Sequence, residues 1–267
     1  MAMVRMIEGG VDLLGDGTVT LARRVLGYYG QSFGAIYGTM LMATDTHLTV
    51  GVVNVGGGSI VEIARLSGFH NLLSDQLRVN RPTLLNGGPG LNGFTESMPL
   101  RLDPTVTSPY PGATTIQRYL SHGAWQERAG DPVAFAPLLR LRPPAGAPVK
   151  HVIWQTAFGD HTVPNSTAGE MYRAGQVFDL VSYYRNDKTP TAGSDPHGFL
   201  LDPRLAGRDQ GQLQVITYIA SGGATVIDPD GPGPVWEVPV QNLRNLDCIH
   251  YPEPQTGVAF TSSAGEC

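Results

Sequence analysis

Apolar residues gather in short dense runs along this chain, separated by Gly-, Pro- and Asn-rich breaks, and helical and strand periodicities can be told apart within them. Residues 3 to 14, "MVRMIEGGVDLL", read as a helix that weakens at Gly9 and Gly10. "RRVLGYYG", 23 to 30, has the apolar and aromatic character of a buried strand. Small and apolar residues then run from Phe33 to Ala43 without proline, which predicts a helix beginning directly after Ser32. "LTVGVVNVGGG", 48 to 58, is a second β-branched run, closed by glycines. Strand, turn, helix and strand in this order make one βαβ unit and imply parallel pairing.

The pattern changes from 59 to 150. Helical fragments alternate there with the turn-rich "NGGPGLNG" and "DPTVTSPYPG", and no β-rich run stands out. This stretch is expected to be a lid-like, largely helical insertion. Regular α/β character returns with a strand at "HVIWQTAFG" (151 to 159), a helix at 166 to 175 and a strand at "VFDLVSYY" (177 to 184). A helix from Leu205 to Ala220 follows, and then a Gly- and Pro-rich tail with one candidate strand, "VWEVPV". Neither an internal repeat nor a linker divides the chain. The expectation is one α/β domain over 1 to 267 with a mostly parallel sheet.

Composition narrows the function classes. With 267 residues, 41% of them hydrophobic, the chain is long enough for one sizeable core. A net charge of -5 and the lack of any basic run argue against nucleic acid as a partner. No apolar stretch has membrane-span length. The N-terminus lacks the zones of a signal peptide. Cys248 and Cys267 are as readily two free thiols as one disulfide, and no CxxC or Cys/His cluster suggests a metal. No cofactor is expected. The glycines of "VVNVGGGSIVE" do not complete a dinucleotide fingerprint, because Val61 stands where a glycine is needed, so a tight turn is the reading there.

Candidate chemistry starts at Gly30-Gln31-Ser32-Phe33-Gly34. Chance supplies a G-x-S-x-G pentapeptide roughly 0.2 times in a chain of this glycine content, so the pattern alone is weak. Its setting is stronger: a strand precedes it and a helix follows, as a serine nucleophile on a tight strand-to-helix turn requires. The helix start would also aim backbone N–H groups at any oxyanion formed there. A serine of this kind needs a base, and the base needs an orienting carboxylate. Asp160 directly follows a strand, and His197 lies in the loop after the next one, in the order acid then base. His161, His122, His250, His70, His47 and His151 are the competing bases; none sits in the expected loop. Asp195 reads as a turn cap.

With these residues in view, the chain resembles the α/β-hydrolase superfamily, and in particular a group of exported bacterial lipases and esterases. The resemblance is carried by "GQSFGAIYG", "NVGGG", "DPVAFAPLL" (131 to 139), "GDHTVPN" (159 to 165) and "DPHGF" (195 to 199), five matches in the family's order over roughly residues 20 to 220. It implies Ser32 as nucleophile, Asp160 as acid, His197 as base and the Phe33 N–H as an oxyanion donor. The implied activity is carboxylic ester hydrolysis, and an exported parent protein. Ala35 departs from the group, which often has a second small residue, glycine, there. A larger departure is that the family places about four strands and a helix before its elbow strand, one of whose loops gives the second oxyanion N–H. With the serine at residue 32, the resemblance implies a reduced sheet whose strand at 23 to 30 lies at an edge. An exposed parallel edge invites association, so a homo-oligomer is expected. The other expectation open at this point is a non-catalytic remnant serving as a binding module.

Overall fold

Val50 and Val52 pack with Ile153 against Tyr218, while Val53, one residue out of step, joins Met42, Val152 and Trp154 on the opposite side. This alternation marks a sheet buried on both faces. The computed structural model describes residues 2–12, 14–18, 26–88, 93–98, 110–191, 195–242 and 246. Within them five strands form one sheet in chain order: β1 (Gly27–Gln31), β2 (Val50–Asn54), β3 (His151–Ala157), β4 (Val181–Tyr184) and β5 (Trp236–Glu237). The first four are parallel, and β5 runs antiparallel on β4. The protein therefore has a mostly parallel α/β fold.

The helices are α1 (Ala2–Glu8), α2 (Phe33–Thr44), α3 (Ile60–Leu66), α4 (His70–Val79), α5 (Ala113–Glu127), α6 (Pro132–Arg140), α7 (Asn165–Gly175) and α8 (Arg208–Ala220). Met42 and Ala43 of α2, Ala136 and Leu139 of α6, and Ala168 and Met171 of α7 share one core on one face of the sheet. Tyr218 of α8 closes the other face over Val50 and Val52. A third, smaller core of Leu73, Leu77, Phe94, Ile116 and Leu120 belongs to the segment holding α4 and α5. Among the described residues no helix is long and apolar enough to cross a membrane.

Several expected boundaries shift. The first helix ends at Glu8 rather than 14, because Gly10 takes a left-handed φ of 83°. "VFDLVSYY" is a strand only from Val181; Phe178–Leu180 form a 3-10 turn that brings the chain out of α7, past Gln176 at φ 51°. The last long helix starts at Arg208, not Leu205. The stretch 59 to 150 is not insertion throughout: α6 is the crossover helix between β2 and β3, packed between α2 and α7. Its start is capped by Asp131, whose side chain accepts from the Val133 N–H at 2.8 Å, with Pro132 in the first turn. Residues 23 to 25, part of "DPTVTSPYPG", and Cys248, His250 and Cys267 lie outside the described residues.

Candidate active site

β1 delivers the chain to Ser32, which has φ 56° and ψ −122°, and α2 begins at the next residue. A non-glycine residue rarely adopts this conformation, and such positions gather at functional sites. The turn is fixed from three directions. The Ser32 N–H donates to the Asn54 carbonyl of β2 at 2.9 Å, and the Ser32 carbonyl accepts from Ala35 and Ile36 at 2.8 and 3.0 Å. A Cβ on Gly30 would stand 2.3 Å from the Gly34 carbonyl oxygen, so nothing larger fits. Gly34 is freer, with nothing nearer than the Tyr28 hydroxyl at 4.0 Å. The buried Ala35 methyl faces Gly56, where an added Cβ would lie 2.8 Å from it; a glycine on β2's side compensates for the alanine on α2. Gly57 is likewise pressed against Thr167 and Val163, and Gly58 against Val133. Close packing accounts for the glycine run where a tight turn was expected, since none of the three glycines takes a positive φ.

Asp160 lies in the loop after β3, its side chain fully buried. Its Oδ1 accepts from the Thr162 and Val163 backbone N–H groups at 2.9 and 2.8 Å. Asn165, at the start of α7, ties the ends of this loop together: its Oδ1 accepts from the Gly159 N–H at 3.0 Å, and its Nδ2 donates to the Ala157 carbonyl at 2.7 Å. His197 sits in a 3-10 turn, Pro196–Gly198, capped by Asp195, whose carboxylate accepts from the His197 N–H at 3.0 Å. Phe199 anchors this loop by stacking on Tyr184, ring centroids 4.9 Å apart, with Trp236 at 5.8 Å.

These loops bring the three side chains into line. His197 Nδ1 lies 2.9 and 3.0 Å from the two Asp160 oxygens, and Nε2 lies 2.7 Å from Ser32 Oγ. An ionised carboxylate only accepts, so Nδ1 carries the proton and Nε2 faces the serine hydroxyl as acceptor. Comparison with protein-family models, with curated proteins and with solved structures finds no match. The chemistry of the site rests on its own geometry.

Electrostatics separates the members. For His197, burial works against the charged ring, but the Asp160 hydrogen bond and charge outweigh it, with Asp195 adding to them, and the imidazole is raised above its ordinary 6.5. Burial pushes the Asp160 carboxyl upward, against the His197 bond and the Val163 N–H that favour its ionised form. In this coupled pair the direction that governs the chemistry is that of His197, because a buried carboxylate with three N–H donors is kept ionised by its bonds.

The Phe33 N–H, first of α2 and next in the chain to Ser32, meets no acceptor among the described residues. Phe33 is 71% exposed, and its ring stacks on that of the exposed Tyr37 at 6.3 Å. Of the competing histidines, His47 pairs with Glu8 at 2.5 Å and His70 bonds the Arg65 carbonyl and stacks on Phe94, while the backbone N–H of His161 donates to Asp195. His151 opens β3, and His122 lies on the rim of a groove of about 490 Å³ between α3, α4 and α5. Among the described residues no group of three or more His, Cys, Asp or Glu could hold a metal ion. Three contributors escaped the sequence reading: Gln31, Thr162 and Asn165. All three stand inside quoted motifs, Gln31 in "GQSFGAIYG" and Thr162 and Asn165 in "GDHTVPN", but their residue types alone do not mark them as supports of the site.

Proposed function

We propose that this protein is a serine carboxylic ester hydrolase with a reduced α/β-hydrolase fold, acting by acyl transfer through Ser32, His197 and Asp160. The observation that carries this reading is the unbroken hydrogen-bond chain Asp160–His197–Ser32, ending on a serine held at positive φ before a helix. As Ser32 Oγ attacks the ester carbonyl, His197 Nε2 takes its proton. Asp160 keeps the Nδ1 proton in place and stabilises the imidazolium. The carbonyl oxygen becomes an oxyanion facing the Phe33 N–H at the positive end of α2. Collapse expels the alcohol, which takes the proton from Nε2, leaving an acyl-serine. Water then enters, gives a proton to His197 and attacks the acyl carbon; the acid leaves and Ser32 regains its proton.

The exposed pair Phe33 and Tyr37 beside the serine offers an apolar shoulder, which supports bulky or polymeric esters among the substrates. The reading includes a homo-oligomer. Among the described residues β1 pairs with β2 alone, and Tyr29, Leu201 and Ile216 are exposed around a shallow groove of about 170 Å³ beside it. Light scattering on a size-exclusion column should give more than one chain per particle; a well-folded monomer across the accessible concentrations refutes that part. The test of the activity is hydrolysis of short- and medium-chain p-nitrophenyl esters by wild type and Ser32→Ala. Turnover by the first and not the second is expected. Equal inactivity, with no organophosphonate labelling of Ser32, defeats the enzyme reading in favour of a binding module.

A further inference from the structure

Asp195 does more than cap the turn of the histidine. Its Oδ1 accepts from the His197 N–H at 3.0 Å and from the His161 N–H at 3.3 Å, while its Oδ2 accepts from the Thr162 hydroxyl at 3.0 Å. His161 and Thr162 belong to the loop that carries Asp160, and the Thr162 N–H itself donates to Asp160. One carboxylate therefore bridges the loop of the acid and the loop of the base, 33 residues apart at Thr162. On the other side, Gln31 donates from Nε2 to the His197 carbonyl at 3.3 Å, with its own Oε1 accepting from the Tyr29 hydroxyl at 3.2 Å. The peptide of His197 is thus held at its N–H by Asp195 and at its carbonyl by the residue preceding Ser32.

We infer that Asp195 is a positioning residue that locks the His197 loop to the Asp160 loop, fixing where the imidazole stands between Asp160 and Ser32 and holding a second negative charge near it. The inference rests on the hydrolase reading for its kinetic consequence, not for its geometry. Two separate effects follow. The hydrogen bonds set position: a shift of the ring off the line between Asp160 and Ser32 weakens Nε2···Oγ and Nδ1···Oδ2 together. The charge sets the protonation of the ring. The charged groups facing the ring are Asp160, from the loop after β3, and Asp195 on its own loop; Ser32 and Gln31, at the end of β1, carry no charge. Removing the Asp195 charge destabilises the imidazolium, so His197 should then titrate at lower pH.

Asp195→Asn and Asp195→Ala separate the effects, because the asparagine keeps an acceptor for the backbone N–H groups without the charge. Two readouts are needed: kcat and KM per organophosphonate-titrated serine across pH, and NMR titration of the His197 ring, assigned by its absence in His197→Asn. Asp195→Asn should keep the plateau kcat within about 2-fold while its acid limb and the NMR midpoint move to lower pH. Asp195→Ala should lose roughly 10-fold or more in kcat at the plateau with KM unchanged, the signature of a displaced base. Wild-type kcat per labelled serine in Asp195→Ala, together with an unmoved His197 midpoint in both variants, overturns the inference. If neither the wild type nor Ser32→Ala hydrolyses any ester, the hydrolase reading fails, and the NMR midpoint still decides for or against Asp195.

Discussion

His197 Nε2 lies 2.7 Å from Ser32 Oγ across 165 residues of sequence, and nothing in either loop alone would bring them together. β1 and β4, with β2 and β3 between them, set that separation. Under the proposed mechanism Ser32→Ala should lower kcat/KM toward p-nitrophenyl esters by about 10³-fold or more. Circular dichroism should be unchanged, since among the described residues the hydroxyl bonds only His197.

Asp160→Asn should leave the loop closed by Asn165 but present His197 with a donor where it needs an acceptor. The ring then favours the wrong tautomer, and kcat should fall by about 10⁴-fold. Steady-state kinetics at a pH well above the His197 midpoint checks this, because there the loss cannot be assigned to protonation.

Activity should depend on pH through His197, and the sign is fixed by its role. The base must be neutral to take the serine proton, and its value is raised above 6.5. Activity should therefore be full well above that value and fall as pH drops through it. A rate profile flat down to pH 5 would remove His197 as the base.

The two glycines around Ser32 should behave differently. Gly30→Ala puts a methyl 2.3 Å from the Gly34 carbonyl oxygen, a backbone contact that cannot swing aside, and should cost about 1–3 kcal/mol. Gly34→Ala meets nothing closer than 4.0 Å in the first turn of α2, and should be neutral or stabilise by about 0.5 kcal/mol. Urea denaturation of the two variants distinguishes them.

Phe199→Ala removes a fully buried ring between Tyr184 and Trp236 and should cost about 3–5 kcal/mol. Because the same ring seats the loop of His197, organophosphonate labelling of Ser32 should slow as well, at temperatures where the variant is still folded.

Local chemistry made the strand–turn–helix around Ser32 legible, since a glycine-flanked serine between an aromatic strand and a small-residue helix leaves few conformations open. The order of Asp160 and His197 was legible for the same reason: Asp160 directly follows one β-rich run and His197 lies in the loop after the next. What stayed hidden was tertiary. Nothing in "DPVAFAPLL" says that α6 faces α2 and α7 instead of covering a pocket, because an amphipathic helix does not name its partner. Nor does "SDPHGF" show that Asp195 reaches Thr162, since a turn cap and a bridge between loops use the same acceptor oxygens. The strand read into Phe178 to Leu180 failed because exit from α7 through Gln176 imposed a turn on residues whose side chains favour strands.

The strict chain order of the sheet has a consequence for how this protein can be studied. Ser32 depends on the first strand, Asp160 on the third and His197 on the fourth, with Phe199 wedged against the fifth, so every layer must be native before the serine becomes reactive. Covalent labelling of Ser32 is then a reporter of complete assembly. In a refolding time course it should appear only with the slowest phase seen by any optical probe.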